Sequence, residues 1–164
     1  MSILPHTVFG AVIGSFFTSP VLAGTAGFFS HYVLDAIPHF DPDMRGIVKY
    51  SQLELLGIKA VVFVDIGLSL LLLIFFYQFP SLFWGAVLAV LVDVDNFMQY
   101  QNKFYPKSFP LLSRIGFTMH DNGSKWHRKL EFRSGFMNLV IGIILQSIII
   151  FGGLLYLLPR LKLT

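Results

Sequence analysis

Five apolar segments, each bounded by proline or polar residues, constrain this chain more than any other feature of its sequence. Three of them, residues 53–78, 82–100 and 136–158, are each long enough as α-helix, at about 1.5 Å per residue, to cross about 30 Å of hydrocarbon. The first two are shorter. Residues 6–17 are apolar and small until Thr18-Ser19-Pro20 interrupts them, because proline lacks the helical amide hydrogen and disfavours helix at Ser19. Residues 21–37 follow and stop at Pro38. About twelve residues make about 18 Å of helix, so the opening pair reads either as two spans or as a short, partly inserted hairpin.

Composition agrees with a membrane solvent. Only 13% of the 164 residues are charged and 55% are hydrophobic, whereas a soluble domain carries about 25% charged residues to cover its surface. Disorder, coiled coil, collagen and a disulfide scaffold are excluded by the same balance. The expectation is an all-α, polytopic helical bundle forming one membrane domain over residues 1–164. The N-terminus has neither the charged start nor the small-residue cleavage site of a secretory signal, so it is read as mature structure.

One extended polar region, residues 101–133, interleaves Lys103, Lys107 and Arg114 with Phe104, Tyr105, Phe109 and Phe117. This pattern suits a segment lying at the lipid headgroups. If the opening pair is a hairpin, this loop and the one around Arg45 and Lys49 share a side with the N-terminus. The positive-inside rule then makes that side cytoplasmic and leaves the C-terminus, with Arg160 and Lys162, outside.

The five histidines fall on that same side. His6 opens the first segment; His31, Asp35, His39 and Asp41 close the second; Asp93 and Asp95 close the fourth; His120, His127 and Glu131 precede the fifth. His31 with Asp35, and His127 with Glu131, are each four residues apart, one helical turn on one face, so each pair can reach a single ion. Paired ligands from different helices are how bundles build histidine-carboxylate metal centres. Asp93 and Asp95 point about 200° apart on a regular helix, so they share a site only where the helix frays or where they bridge two ions. Ionisable groups at or within a membrane are costly and usually functional. The sequence-level ligand set is His6, His31, Asp35, His39, Asp93, His120, His127 and Glu131. Asp65, inside the third segment, needs a partner or a proton; it reads either as a group lining the same cavity or as a neutral, helix-bonded side chain.

On these residues the chain resembles a bacterial inner-membrane family of membrane-bound metal-dependent hydrolases. The resemblance lies in the early His6, the run His31, Asp35, Pro38 and His39, the helix ending in Asp93 and Asp95, and the later His-rich loop. It implies a bacterial inner-membrane location. The chain departs from that pattern at Val92, where the family often has proline, and in the glycine turn separating His120 from His127-Arg128. In ligand style alone it is also similar to soluble zinc-dependent phospholipase C enzymes.

Zero cysteines leave nitrogen and oxygen ligands, which suit zinc, manganese or iron better than calcium or magnesium. One or two such divalent ions would activate water toward an ester or phosphoester. No Gly-x-Ser-x-Gly elbow, phosphate-binding glycine loop or His-Glu-x-x-His helix competes with that reading. Asp41 or Asp95 is the expected general base, and Arg128 or Lys129 the expected stabiliser of developing negative charge. A membrane-edge site implies membrane lipid as partner and a phospholipid or other amphiphilic ester as substrate. A net charge of +3 that follows the loop rule gives no support for nucleic acid. Two other classes stay open: a small metal-ion or proton-coupled transporter, and a non-catalytic membrane subunit binding a partner through residues 101–133.

Overall fold

Proline starts two of the helices. In the computed structural model, which describes residues 2–37, 52–93 and 135–162, Pro20 and Pro80 stand in the first turn of a helix, where a missing amide hydrogen costs nothing. The described residues form α1 (Ile3–Gly14), α2 (Pro20–Asp35), α3 (Gln52–Phe76), α4 (Pro80–Leu91) and α5 (Gly135–Leu157). A short 3₁₀ turn, Arg160–Lys162, follows. There is no strand among the described residues, so the all-α expectation stands. The opening pair is a helical hairpin turning over residues 15–19.

One expected boundary is corrected. The apolar run 82–100 is not one continuous helix: α4 begins at Pro80, ends at Leu91 and has Val92 as its C-cap. The Asp93 amide turns back to the Val90 carbonyl at 2.9 Å, a tightened i to i+3 bond that ends the helix. Asp93 therefore stands just past the helix, freed from the helical spacing that would hold it opposite a residue two positions away.

Helices α1, α2 and α4 pack closely because their facing surfaces are nearly bare of side chains. A Cβ added at Gly27 would collide with the Gly85 carbonyl oxygen, and one added at Gly85 with the Gly10 carbonyl oxygen. Gly10 and Gly14 are four apart on α1, as are Ala23 and Gly27 on α2 and Gly85 and Ala89 on α4. Small residues at this spacing let backbones touch and gain dispersion contacts that lipid cannot supply. The Ser81 hydroxyl reaches the Thr18 carbonyl at 3.3 Å, tying the start of α4 to the α1–α2 turn.

The long helices flank this trio. Ala11, Phe76, Ala86 and Leu157, contributed by α1, α3, α4 and α5, form a buried cluster. Beyond it the Arg160 guanidinium lies 4.2 Å from the Tyr156 ring centroid and 5.5 Å from that of Phe16. Aromatic rings with a cation are typical of a membrane-water boundary.

Asp65 has the partner that its place inside the third segment called for. Its carboxylate accepts the Ile3 amide at 2.7 Å and the Leu4 amide at 3.1 Å. The α1 N-cap, Ser2, makes no side-chain cap. Asp65 thus caps α1 from α3, meeting both the unbonded amides and the positive end of the helix dipole.

Candidate metal centre

The opening hairpin and α4 bring three helix ends to one place: the first turn of α1, the last turn of α2 and the residue beyond α4. His6, His31, Asp35 and Asp93 meet there. The two imidazoles are fully buried and stacked, with centroids 4.1 Å apart and planes 19° from parallel. Both present Nε2 to Asp35. His31 Nε2 lies 2.9 Å from Asp35 Oδ2, and His6 Nε2 lies 3.2 Å from Asp35 Oδ1. Asp93 Oδ1 stands 3.9 Å from His31 Nε2.

The orientation of His31 is set by backbone. Its Nδ1 is 2.9 Å from the Ala89 carbonyl, one of the last four carbonyls of α4, which have no partner within their own helix. A carbonyl only accepts, so Nδ1 carries the hydrogen and donates it. In the neutral ring, Nε2 is then a lone pair facing carboxylate oxygens. Acceptors at such distances need something positive between them, either a proton on the pair or a bound cation. Histidine ligands to metals almost always donate their other ring hydrogen to a carbonyl or carboxylate, as His31 does. The buried His6 Nδ1 has no hydrogen-bond partner among the described residues.

His6, His31 and Asp93 form a group that can hold a metal ion, with one ligand atom from each lying within 4.8 Å of the others. Around a tetrahedral ion with bonds of about 2.0 to 2.1 Å, ligand atoms stand about 3.3 Å apart, so modest side-chain adjustment would close the set. Asp35, beside both Nε2 atoms, offers a further oxygen to such an ion. The donor set is nitrogen and oxygen only.

Of the sequence-level candidates, His6, His31, Asp35 and Asp93 are thus brought together. His39, Asp41, Asp95, His120, His127, Arg128 and Glu131 lie outside the described residues. Sequence reasoning missed the Ala89 carbonyl and the cap from Asp65. Neither has a local signal, since their partners are 58 and 61 to 62 residues away. The small residues four apart were a visible sign that α1, α2 and α4 touch. A cavity of about 640 Å³ at the Phe79 turn, lined by Phe75, Gln78, Pro80 and Leu161 among others, lies at the opposite end of α4 and holds none of these ligands.

No protein-family model matches this chain, no curated protein matches it, and no solved structure matches it. Fold and site define it, over the described residues, as a helical protein with a buried histidine-carboxylate cluster at the ends of three helices. One described helix is long and apolar enough to cross a membrane, over Val140–Leu157.

Proposed function

We propose that this is an integral membrane hydrolase whose His6, His31 and Asp93 hold a divalent metal, with zinc favoured and manganese or iron also suited to the ligands. The observation that carries the reading is the pair of stacked, buried imidazoles whose Nε2 atoms face one carboxylate, with His31 locked by the Ala89 carbonyl. A bound ion of this kind supplies a water of lowered pKa and polarises an ester or phosphoester oxygen. Asp35, beside both imidazoles, takes the proton from the attacking water. The resemblance to membrane-bound metal-dependent hydrolases supports the same reading, and the chemistry of the sequence proposes Asp41 or Asp95 and Arg128 as further participants.

A polytopic bundle is supported by the surface. Outward-facing side chains along α3 and α5 include Phe63, Leu71, Ile74, Ile148, Phe151 and Leu155, a patchwork far more apolar than water tolerates on a soluble monomer. In the proposed topology the N-terminus and polar loops are cytoplasmic, in a bacterial inner membrane. The substrate is an ester or phosphoester carried by membrane lipid.

Purified protein is tested by elemental analysis beside His31→Gln and Asp93→Asn. About one ion or more per chain in the parent, with loss in both variants, is expected, together with chelator-sensitive cleavage of a fluorogenic lipid ester in mixed micelles. Equal, negligible metal in all three proteins would end the proposal. The convergence of helix ends on the cluster also suits ion translocation. Metal flux into proteoliposomes, without ester cleavage, would favour that second reading.

A further inference from the structure

The height of the cluster along the bundle follows from its neighbours. α1, α2 and α4 have 12, 16 and 12 residues, whereas α3 and α5 have 25 and 23. At about 1.5 Å per residue the first three are about 18 to 24 Å long and the last two about 35 to 38 Å. The short helices therefore run beside only part of the long ones. Asp65, near the middle of α3, bonds the start of α1, and a Cβ at Gly153 of α5 would touch Val8 and Val12. His6 consequently stands about 10 Å along α3 from Ala60 and about 16 Å along α5 from Val140.

Ala60 follows Lys59, the last charged residue before the apolar run of α3, and in α5 the apolar sequence begins no later than Val140. The surface at the height of the cluster is apolar as well. Val33 beside it on α2, Val64 on α3 and Leu91 on α4 are 59%, 56% and 52% exposed. Apolar exposure continues on both sides of that level, at Val61, Phe63 and Ile144 on one and at Leu71 and Leu155 on the other.

We infer that the cluster operates inside the apolar layer, at least about 10 Å from its near edge, and that its substrate is an uncharged lipid ester. The inference rests on the metal-hydrolase reading for its chemistry and on geometry for its depth. Charge balance fits that position. A divalent ion with the carboxylates of Asp35 and Asp93 is neutral, so the loaded centre avoids the large cost of a net charge in hydrocarbon. A phospholipid would have to bring its phosphate down with it, at the same kind of cost. A neutral ester leaves the headgroup plane freely. In the reaction, water oxygen bonds to the ester carbonyl carbon as the bond to the alcohol oxygen breaks. The alcohol leaves with one proton, and the acid leaves as carboxylate with the other proton released.

The natural absence of cysteine makes depth measurable. Val33→Cys, Val61→Cys and Val64→Cys, all at outward-facing positions, are spin-labelled in the full chain in phosphatidylcholine vesicles. Relaxation by oxygen is compared with relaxation by a water-soluble nickel chelate. Labels at positions 33 and 64 are expected to favour oxygen strongly and to lie deeper than the label at 61. Ready access of the nickel chelate to 33 and 64 overturns the depth. The same vesicles, zinc-loaded, are supplied with a triacylglycerol. Release of fatty acid from it at a rate at least tenfold above that from the phospholipid is expected, and the reverse preference overturns the substrate class. Cleavage of neither lipid removes the hydrolase reading and the ester with it, while the labels alone still decide the depth.

Discussion

Asp65 does at one residue what a local cap does for most helices. Ser2 offers no side-chain oxygen to the first amides of α1, and the carboxylate comes from α3 instead. His6 lies one turn further on, so the cap fixes the part of α1 that delivers an imidazole. Asp65→Ala should cost about 0.5 to 2 kcal/mol of stability and weaken metal binding about tenfold, in the range seen for groups that orient ligands. Asp65→Asn, which keeps an acceptor oxygen, should retain most of the affinity. Titration of each variant with zinc by calorimetry checks both, and equal affinity for Ala and parent would show that the cap does not position His6. The sequence announced that Asp65 needs a partner or a proton. It could not say that the partner was the backbone at Ile3 and Leu4, because a cap is normally sought within a few residues of the helix it serves.

At the scale of the element, three short helices meet through glycine and alanine. Gly85 on α4 abuts both Gly27 and the Gly10–Gly14 face of α1, so any side chain there pushes backbones apart. Gly85→Val should destabilise by about 3 kcal/mol, the upper part of the usual range for overpacking, and should separate Ala89 from His31. Gly67→Ala, on α3 with open space around it, should be neutral or slightly stabilising, as alanine favours helix over glycine by up to about 1 kcal/mol. Thermal unfolding in detergent, with metal content measured alongside, distinguishes them. Similar behaviour of the two variants would mean the close approach is not what holds the trio together. The end of α4 belongs to the same scale. A continuous apolar run read as one helix to residue 100 stops at Leu91, because hydrophobicity reports what solvent a segment prefers and not where its hydrogen bonds end.

For the whole molecule, metal and fold are one equilibrium if the cluster binds as proposed. Free zinc at about 100 times its dissociation constant should add about 2.7 kcal/mol of stability. The ligands must be unprotonated to bind, so the stabilisation is present at higher pH and fades as pH falls and the imidazoles take up protons. Unfolding temperatures from pH 5 to 8, with zinc and with chelator, test this. Curves that superimpose across the range would show that the cluster takes no ion.

The sequence by itself determined the helical class, the apolar character of the elements and the kind of chemistry open to them. Periodicity, proline and the lack of cysteine are local or compositional properties, and local physics suffices to read them. His31 and Asp35 were legible as a pair for the same reason, since four residues make one turn. Tertiary structure alone decided that His6 stacks on His31, that Asp93 comes within 3.9 Å of the His31 Nε2, and that Ala89 fixes the imidazole. Those contacts depend on how closely three backbones approach, which side-chain size permits but only packing of all the helices together sets. Height within the bundle is of that second kind. The positions of the cations and histidines along the chain suggested a site at the membrane edge, while the relative lengths and pairing of α1, α3 and α5 put it partway along the two long helices.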